Sequence, residues 1–494
     1  MAGAATAQAG TLAGLRLAVV GAGWAGLAAA VAASQAGAQL TLFEASRQPG
    51  GRARNVALAG AGGQPALRLD NGQHILIGAY RASLGLMRTV GLDAARCLQR
   101  LPLDLRDAQG QGLALPAWPS RLPAPLQASA QALGTAWALL RAQGWGWGER
   151  LALLRRLQAW QRAGFACAPT ASVAQLCAGL PQAVVQQLIE PLCTAALNTP
   201  LAQASGAVFL RVLQDSVAGG PGSADLLLPT VPLGDLLAEP AWRWLQARGA
   251  QLRLGQRINQ LQPAADGQTG AGWLLDGQHF DAVLLATPAG EALRLLRPLA
   301  AEAEAEAATG AAASAELRSW LQQAEALRHE AIGTVFLRAA GADTAAAAPP
   351  AAPAPGLLAR PMLALAPGGV AQYVFDRQQL TGEPGLLAWV ASTLDAALDK
   401  AALTQRVLAQ AQALPGLAGR RWQPVASIIE KRATFACTAG LQRPGQRPCS
   451  AWPRLLVCGD YVHGPYPATL EGAVRSGQQA VVALCRAVAG AHSA

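Results

Sequence analysis

The stretch 15–45, LRLAVVGAGWAGLAAAVAASQAGAQLTLFEA, constrains the fold more than any other part of this chain. Residues 15–20 form a short apolar run, Gly21, Gly23 and Gly26 follow as GxGxxG, 27–36 is alanine-rich, and 39–43 alternates into Glu44. Strand, glycine turn, helix and strand in that order make a nucleotide-binding unit. Gly21 permits the tight turn, Gly23 lets the backbone approach a pyrophosphate, and Gly26 lets helix pack on strand. Trp24 and Ala25 lie within the turn as further cofactor contacts, and the helix expected over 27–36 directs free N–H groups and a positive dipole end at a diphosphate. Glu44, 18 positions beyond Gly26, stands where an acid accepts ribose hydroxyls and would repel a 2′-phosphate, which argues against NADP. The lack of charge from 17 to 43 could pass for a membrane span or signal segment, but the spaced glycines and QAGAQ divide it into a helix and a strand.

Just beyond the second strand, SRQPGGRARN supplies Gly50, Gly51, Arg52 and Arg54, a second glycine turn with cations that can return to the same diphosphate. Here the sequence resembles the large FAD family that includes amine oxidases and phytoene desaturases, in which a GGR stretch follows the ribose-binding acid. The far end matches. In LLVCGDYVHGPYPATLEGAVRSGQQAVVAL, residues 455–484, a buried-strand pattern ends at Gly459 and Asp460, and a helix is predicted to start near Pro467 or Ala468. Ala468, Gly472, Ser476 and Ala480 recur every four residues as a stripe of small side chains. The helix start, with Thr469 and Leu470, can direct N–H groups at the flavin pyrimidine edge. The resemblance implies that Asp460 bonds the ribityl or diphosphate region, and that a strand near Arg257 and Ile258 touches the adenosine end.

The expected architecture is therefore α/β. A Rossmann-like FAD-binding domain is assembled from discontinuous segments 1–85, 227–290 and 445–494, and a substrate (cap) domain is inserted as 86–226 and 291–444. A chain of 494 residues accommodates both. The balance of 39 basic against 29 acidic residues gives +10, carried almost wholly by arginine, which suits phosphates or membrane headgroups. Zinc-finger spacing, a basic zipper and RNA-binding aromatic motifs are all missing, so nucleic acid is not an expected partner. The eight scattered cysteines include no CxxC pair, so neither a metal site nor a disulfide framework is expected.

Residues 86–226 carry helical spacing rich in Leu, Ala, Trp and Arg. In AQGWGWGERLALLRRLQAWQRAG, Leu151, Leu154, Leu157 and Trp160 fall three apart with arginines beside them, a pattern shared by helices that lie in a membrane interface and helices that pack on their own protein. AEAEAEAATGAAASAE and AAGADTAAAAPPAAPAPG read as low-complexity inserts without chemistry.

One stretch departs from this composition. In LDNGQHILIGAY, residues 69–80, Asp70, Asn71, Gln73 and His74 crowd around Gly72. The resemblance to the FAD family implies that the chain after the GGR turn runs alongside the flavin ring, where Gly72 would give backbone clearance and Gln73 a polar contact to ring or substrate. DNGQHILIGAY, EKRATFA at 430–436 and PATLEGAVRSG at 467–477 together resemble the hydroxysqualene dehydroxylases, the squalene-associated FAD enzymes of bacterial hopanoid synthesis. That resemblance covers the flavin-binding parts well and the insertions loosely. It implies reductive conversion of a C30 isoprenoid alcohol to its hydrocarbon in a cytoplasmic protein resting on the inner face of the membrane, in association with other enzymes of squalene and hopanoid synthesis. Hydroxide leaves poorly, so an acid is needed. His74, with a proton available near neutrality, is the candidate, and Gln73 can orient it or the hydroxyl. Glu430 and Lys431 are second candidates, against the ordinary reading of an exposed ion pair, and His463 is a third position near the ring. A carotenoid-type desaturase or isomerase, an amine oxidase, and a non-catalytic membrane partner that keeps FAD for stability remain alternatives.

Overall fold

Five parallel strands form the central sheet, in the order Leu455–Val457, Ala282–Leu285, Arg16–Val20, Gln39–Glu44, Gln251–Leu254. This computed structural model describes residues 10–58, 67–217, 219–264, 272–305, 311–341, 356–395 and 397–491. Both faces of the sheet are covered at its middle, where Leu17–Val20, Ala282–Leu285 and Leu455–Val457 are near-continuous apolar runs, whereas the edge strand Gln251–Leu254 is only partly covered. Leu17, Val19, Leu42 and Leu284 are fully buried in one core, and Val283, Leu285 and Val457 in the other. The fold is Rossmann-like, with the sheet drawn from three distant parts of the chain.

Two helices pack on one face, Trp24–Gln35 and Leu470–Ala491, and glycine lets them come close. A Cβ on Gly477 would lie 2.2 Å from the Ala25 carbonyl oxygen, and one on Gly26 would lie 1.8 Å from that of Gly21. The C-terminal helix begins at Leu470 rather than at Pro467 or Ala468. Ala468 takes a left-handed φ of 55°, which ends any helical run there, and Thr469 Oγ1 accepts the Gly472 N–H at 2.9 Å as a local cap. The strand expected near Arg257 and Ile258 lies earlier, at Gln251–Leu254. Gly255, with φ of 70°, terminates it, and Ile258 follows in an irregular segment.

A second sheet is antiparallel, in the order Met362–Ala364, Tyr373–Asp376, Leu386–Leu394, His329–Ala339, Trp422–Phe435. Its side chains alternate. Val335 and Trp389 pack toward helix Lys400–Ala413, whereas Phe336, Tyr373, Phe375 and Val390 lie on the other side with Leu69 and Leu228. Helices Ala124–Arg141, Trp147–Arg162, Glu190–Leu197 and Gly206–Val217 complete the inserted cap. Of the low-complexity inserts, the first (301–316) is helical at both ends, within Ala289–Ala305 and Ala311–Glu325, while 306–310 and 342–355 lie outside the described residues.

Candidate active site

The carboxyl ends of the parallel strands open onto a cavity of about 680 Å³ that continues to the antiparallel sheet. At the strand end, the two glycine turns abut: Gly50 N–H donates to the Ala22 carbonyl at 2.8 Å, and a Cβ on Gly51 would stand 3.1 Å from Gly23 Cα. Gly21, Gly23, Trp24, Ala25, Glu44, Gly51 and Arg52 line the cavity, while Gly26 serves packing. The Glu44 carboxylate accepts Ala22 N–H at 2.7 Å and Ser46 N–H at 2.8 Å, one on each oxygen. A carboxylate has about four acceptor sites, so capacity remains on both oxygens.

Arg52 is placed differently from the simple phosphate clamp expected. One guanidinium nitrogen donates to Asp460 at 2.6 Å and another to the Ala433 carbonyl at 2.7 Å. The attraction of Asp460, foremost, raises its pKa against the opposing effect of burial. The pair ties the first glycine-rich segment to the C-terminal one while both side chains still border the cavity. Gly459, Thr469 and Leu470 close this side, Ile258 with Gln256 the outer end.

The polar stretch divides into an anchor and a working edge. Asp70 is an anchor: its carboxylate meets Arg377 at 2.8 Å and accepts Leu233 N–H at 2.8 Å, with Arg377 itself fully buried. Asn71 reaches the Arg52 carbonyl at 3.3 Å and Glu430 at 3.4 Å. Arg377 donates to Gln73 Oε1 at 3.3 Å; since arginine has no acceptor, the Gln73 amide is oriented with its NH₂ away from it. His74 Nδ1 lies 2.8 Å from the Gly72 carbonyl. A carbonyl only accepts, so Nδ1 carries hydrogen and Nε2 is left with its lone pair. Burial draws the His74 pKa below its ordinary 6.5, more than the Gly72 hydrogen bond and Asp70 raise it. With Nδ1 committed to Gly72, Nε2 is the ring atom left to exchange a proton at the cavity.

Glu430 lines the cavity but Lys431 does not. Ladder pairing runs Glu330 to Thr434 and then Ile332 to Glu430, so 431–433 oppose Ala331 alone. This bulge turns Lys431 and Arg432 outward, where both are exposed, and keeps Glu430, Ala433 and Thr434 inside. Lys431→Met should leave flavin content and turnover within about twofold, the usual outcome for an exposed side chain; parallel absorbance and rate measurements check this. His463 is also exposed, its N–H bonded to the Pro444 carbonyl.

Sequence reasoning missed Asn198. It ends helix Glu190–Leu197 with a left-handed φ of 45°, donates to Thr434 Oγ1 at 2.9 Å and accepts Thr393 N–H at 2.9 Å. It thereby joins the helical cap to the antiparallel sheet at the cavity wall. It also missed Glu471, a fully buried carboxylate that accepts Ala82 N–H and Ser83 N–H at the start of helix Arg81–Thr89 and pairs with Arg475.

A doubly covered parallel sheet, paired glycine turns and a cavity at the strand ends define a dinucleotide-binding protein. The profile described as flavin containing amine oxidoreductase matches residues 24–485, and the chain belongs to that family. It is similar to the hydroxysqualene dehydroxylase of Rhodopseudomonas palustris, 28% identical over 94% of this chain and 96% of the relative. That of Sinorhizobium fredii is 25% identical over 94% and 96%. Among solved structures, an oxidoreductase from Methanosarcina mazei superposes with a TM-score of 0.61 at 16% identity, covering 94% of this chain and 99% of that one. A cyclohexylamine oxidase from Brevibacterium oxydans gives 0.54 at 15%, covering 96% and 99%.

The protein is thus an FAD-dependent oxidoreductase, and its cavity fits the cofactor. Trp24 Nε1, Arg54 Nε and Thr287 Oγ1 are buried on lining residues with no hydrogen-bond partner among the described residues. Buried polar groups rarely stay unpaired, and a dinucleotide carrying phosphate, ribose and ring acceptors would supply what these groups lack.

Proposed function

We propose that the protein converts hydroxysqualene to squalene. The observation that carries this reading is the apolar lobe of the cavity, walled by Ile75, Ile332, Phe375 and Val390, directly beside the polar turn at 72–74. The names of its relatives support it. Gly21, Gly23, Glu44, Gly51, Arg52 and Asp460 would hold FAD, with Trp24, Ala25, Gly72, Ile258, Gly459, Thr469 and Leu470 against it. When bound in its reduced form, FAD supplies hydride to carbon. The chain supplies the rest. The apolar lobe excludes water from the allylic carbon as positive charge develops there. Gln73 NH₂ orients the hydroxyl, with Arg377 holding its amide. His74 takes up a proton at Nε2 and releases it to the departing oxygen, so C–O cleavage yields water and the new C–H bond completes the hydrocarbon. Glu430, beside Arg52 and Asn71, keeps the region polar at the turn. A C30 isoprenoid resides in a bilayer, so the protein works as a peripheral protein at a membrane surface; no helix among the described residues is long and apolar enough to cross one.

Anaerobic, photoreduced holoprotein mixed with hydroxysqualene should give squalene in step with flavin reoxidation. Oxidised protein that desaturates phytoene, with no squalene formed by the reduced form, would replace this reading with the desaturase alternative.

A further inference from the structure

Helix Ala124–Arg141 displays an outward apolar stripe. Leu126, Leu133, Trp137 and Leu140 are 56%, 65%, 48% and 50% exposed, and at 100° per residue they fall within 60° of one another. The same helix buries a small-residue face elsewhere: a Cβ on Gly134 would lie 2.8 Å from Pro119 Cγ, and Ala130 and Ala138 are buried. From Ala124 to Leu140 it carries no charge. The next helix, Trp147–Arg162, continues the pattern over its first turns, with Trp147 at 72%, Leu151 at 44% and Leu154 at 40% exposure. The three-apart stripe read from sequence thus splits, because 3 falls short of the helical repeat: Leu151 and Leu154 face out while Trp160 turns into the core.

The two helices meet across the turn between them. Arg150 donates to the Ala142 carbonyl at 2.9 Å, and Leu139 and Leu153 share a buried cluster with Trp145 and Val184. That cluster also receives Leu188, and the helical run continues through Glu190–Leu197 to Asn198 at the cavity wall. Cations accompany the exposed tryptophans. The Arg141 guanidinium carbon stands 4.7 Å from the Trp137 ring centre, and that of Arg150 stands 5.2 Å from Trp147. Arg121, Arg155 and Arg162 add exposed positive charge against one acid, Glu149.

We infer that these two helices form the surface by which the protein docks on an anionic phospholipid bilayer, with leucines and tryptophans in the headgroup–acyl boundary and arginines on lipid phosphates. Charge decides the occupant. A second copy of this chain seated on the same face would bring two arginine rims together, whereas an anionic headgroup layer complements them. This deepens the lipid-substrate reading but does not require hydroxysqualene to be the substrate, and vesicle binding is measured without turnover.

The experiment is cosedimentation of the FAD-loaded protein with vesicles of phosphatidylcholine alone and of phosphatidylcholine with phosphatidylglycerol. Binding is expected to favour the anionic vesicles and to weaken with salt. The double substitution Leu133→Asp and Trp147→Ser should reduce partitioning at least tenfold while leaving flavin absorbance and thermal midpoint unchanged, since both residues stand in solvent. Unchanged partitioning of the variant, or equal binding to neutral vesicles at all salt concentrations, overturns the proposal. So does a dimer in solution that the same substitutions dissolve, which would assign the face to a second copy. Retained vesicle binding with no squalene formed would count against the substrate and not against this surface.

Discussion

Arg377→Met should lower the stability of the folded chain by about 3–5 kcal/mol, the usual loss when one partner of a buried ion pair is removed, read from the urea midpoint. Arg377 is fully buried between Asp70 at 2.8 Å and Glu383 at 3.2 Å. Burial opposes its charge, but the two carboxylates together outweigh that and hold its pKa above the ordinary value. Methionine fills similar volume and brings no charge, so the penalty falls on Asp70, only 3% exposed. Glu383, at 16% exposure, can turn to water. Asp70→Asn in the same background should therefore recover a large part of the loss, since asparagine still accepts the Leu233 N–H. If the double variant is no more stable than Arg377→Met, the cost lies in packing rather than in the stranded charge. A second readout is functional: without Arg377 the Gln73 amide loses the donor that fixes its orientation, so flavin-loaded material should also show slower turnover.

The opening glycine signature was legible because backbone geometry dictates the residue. Nothing larger than glycine fits Gly26, whose Cβ would strike the Gly21 carbonyl, and a strand with both faces covered must be apolar along its length. Asp70 was legible as unusual but not as an anchor, because its partner Arg377 lies 307 positions away and only the packing of their neighbours Leu69 and Phe375 in one buried cluster brings them together. Lys431 was singled out with Glu430 by their shared place in EKRATFA, but successive residues of a strand point to opposite faces, so a cavity-facing Glu430 sends Lys431 outward. Asn198 offered only the faint signal of an asparagine after a helical run, a common left-handed helix end. In the cap, the spacing of Leu126, Leu133, Trp137 and Leu140 was present in the sequence, yet periodicity identifies a face without saying whether protein or water covers it.

His74→Gln should reduce turnover by about 10²–10⁴-fold, the contribution general acid catalysis makes, with flavin content retained. The pH dependence distinguishes this role from a structural one. His74 has its pKa drawn below 6.5 by burial, so above that pH it is neutral in folded and unfolded chains alike. As pH falls below 6.5 the unfolded chain takes up the proton first, and the folded chain loses stability through this group until its own lower pKa is passed. The proton required at Nε2 becomes available over the same range, and because a depressed pKa makes the imidazolium a stronger acid, each protonated site delivers it readily. Turnover per folded, flavin-loaded molecule should therefore rise as pH drops from neutrality while the denaturation midpoint falls. The glutamine variant should flatten both slopes. A variant that keeps the rising turnover would move the acid to another group at the cavity, with Glu430 next in line, and one that loses flavin would show that the imidazole supports the cofactor turn at Gly72 instead.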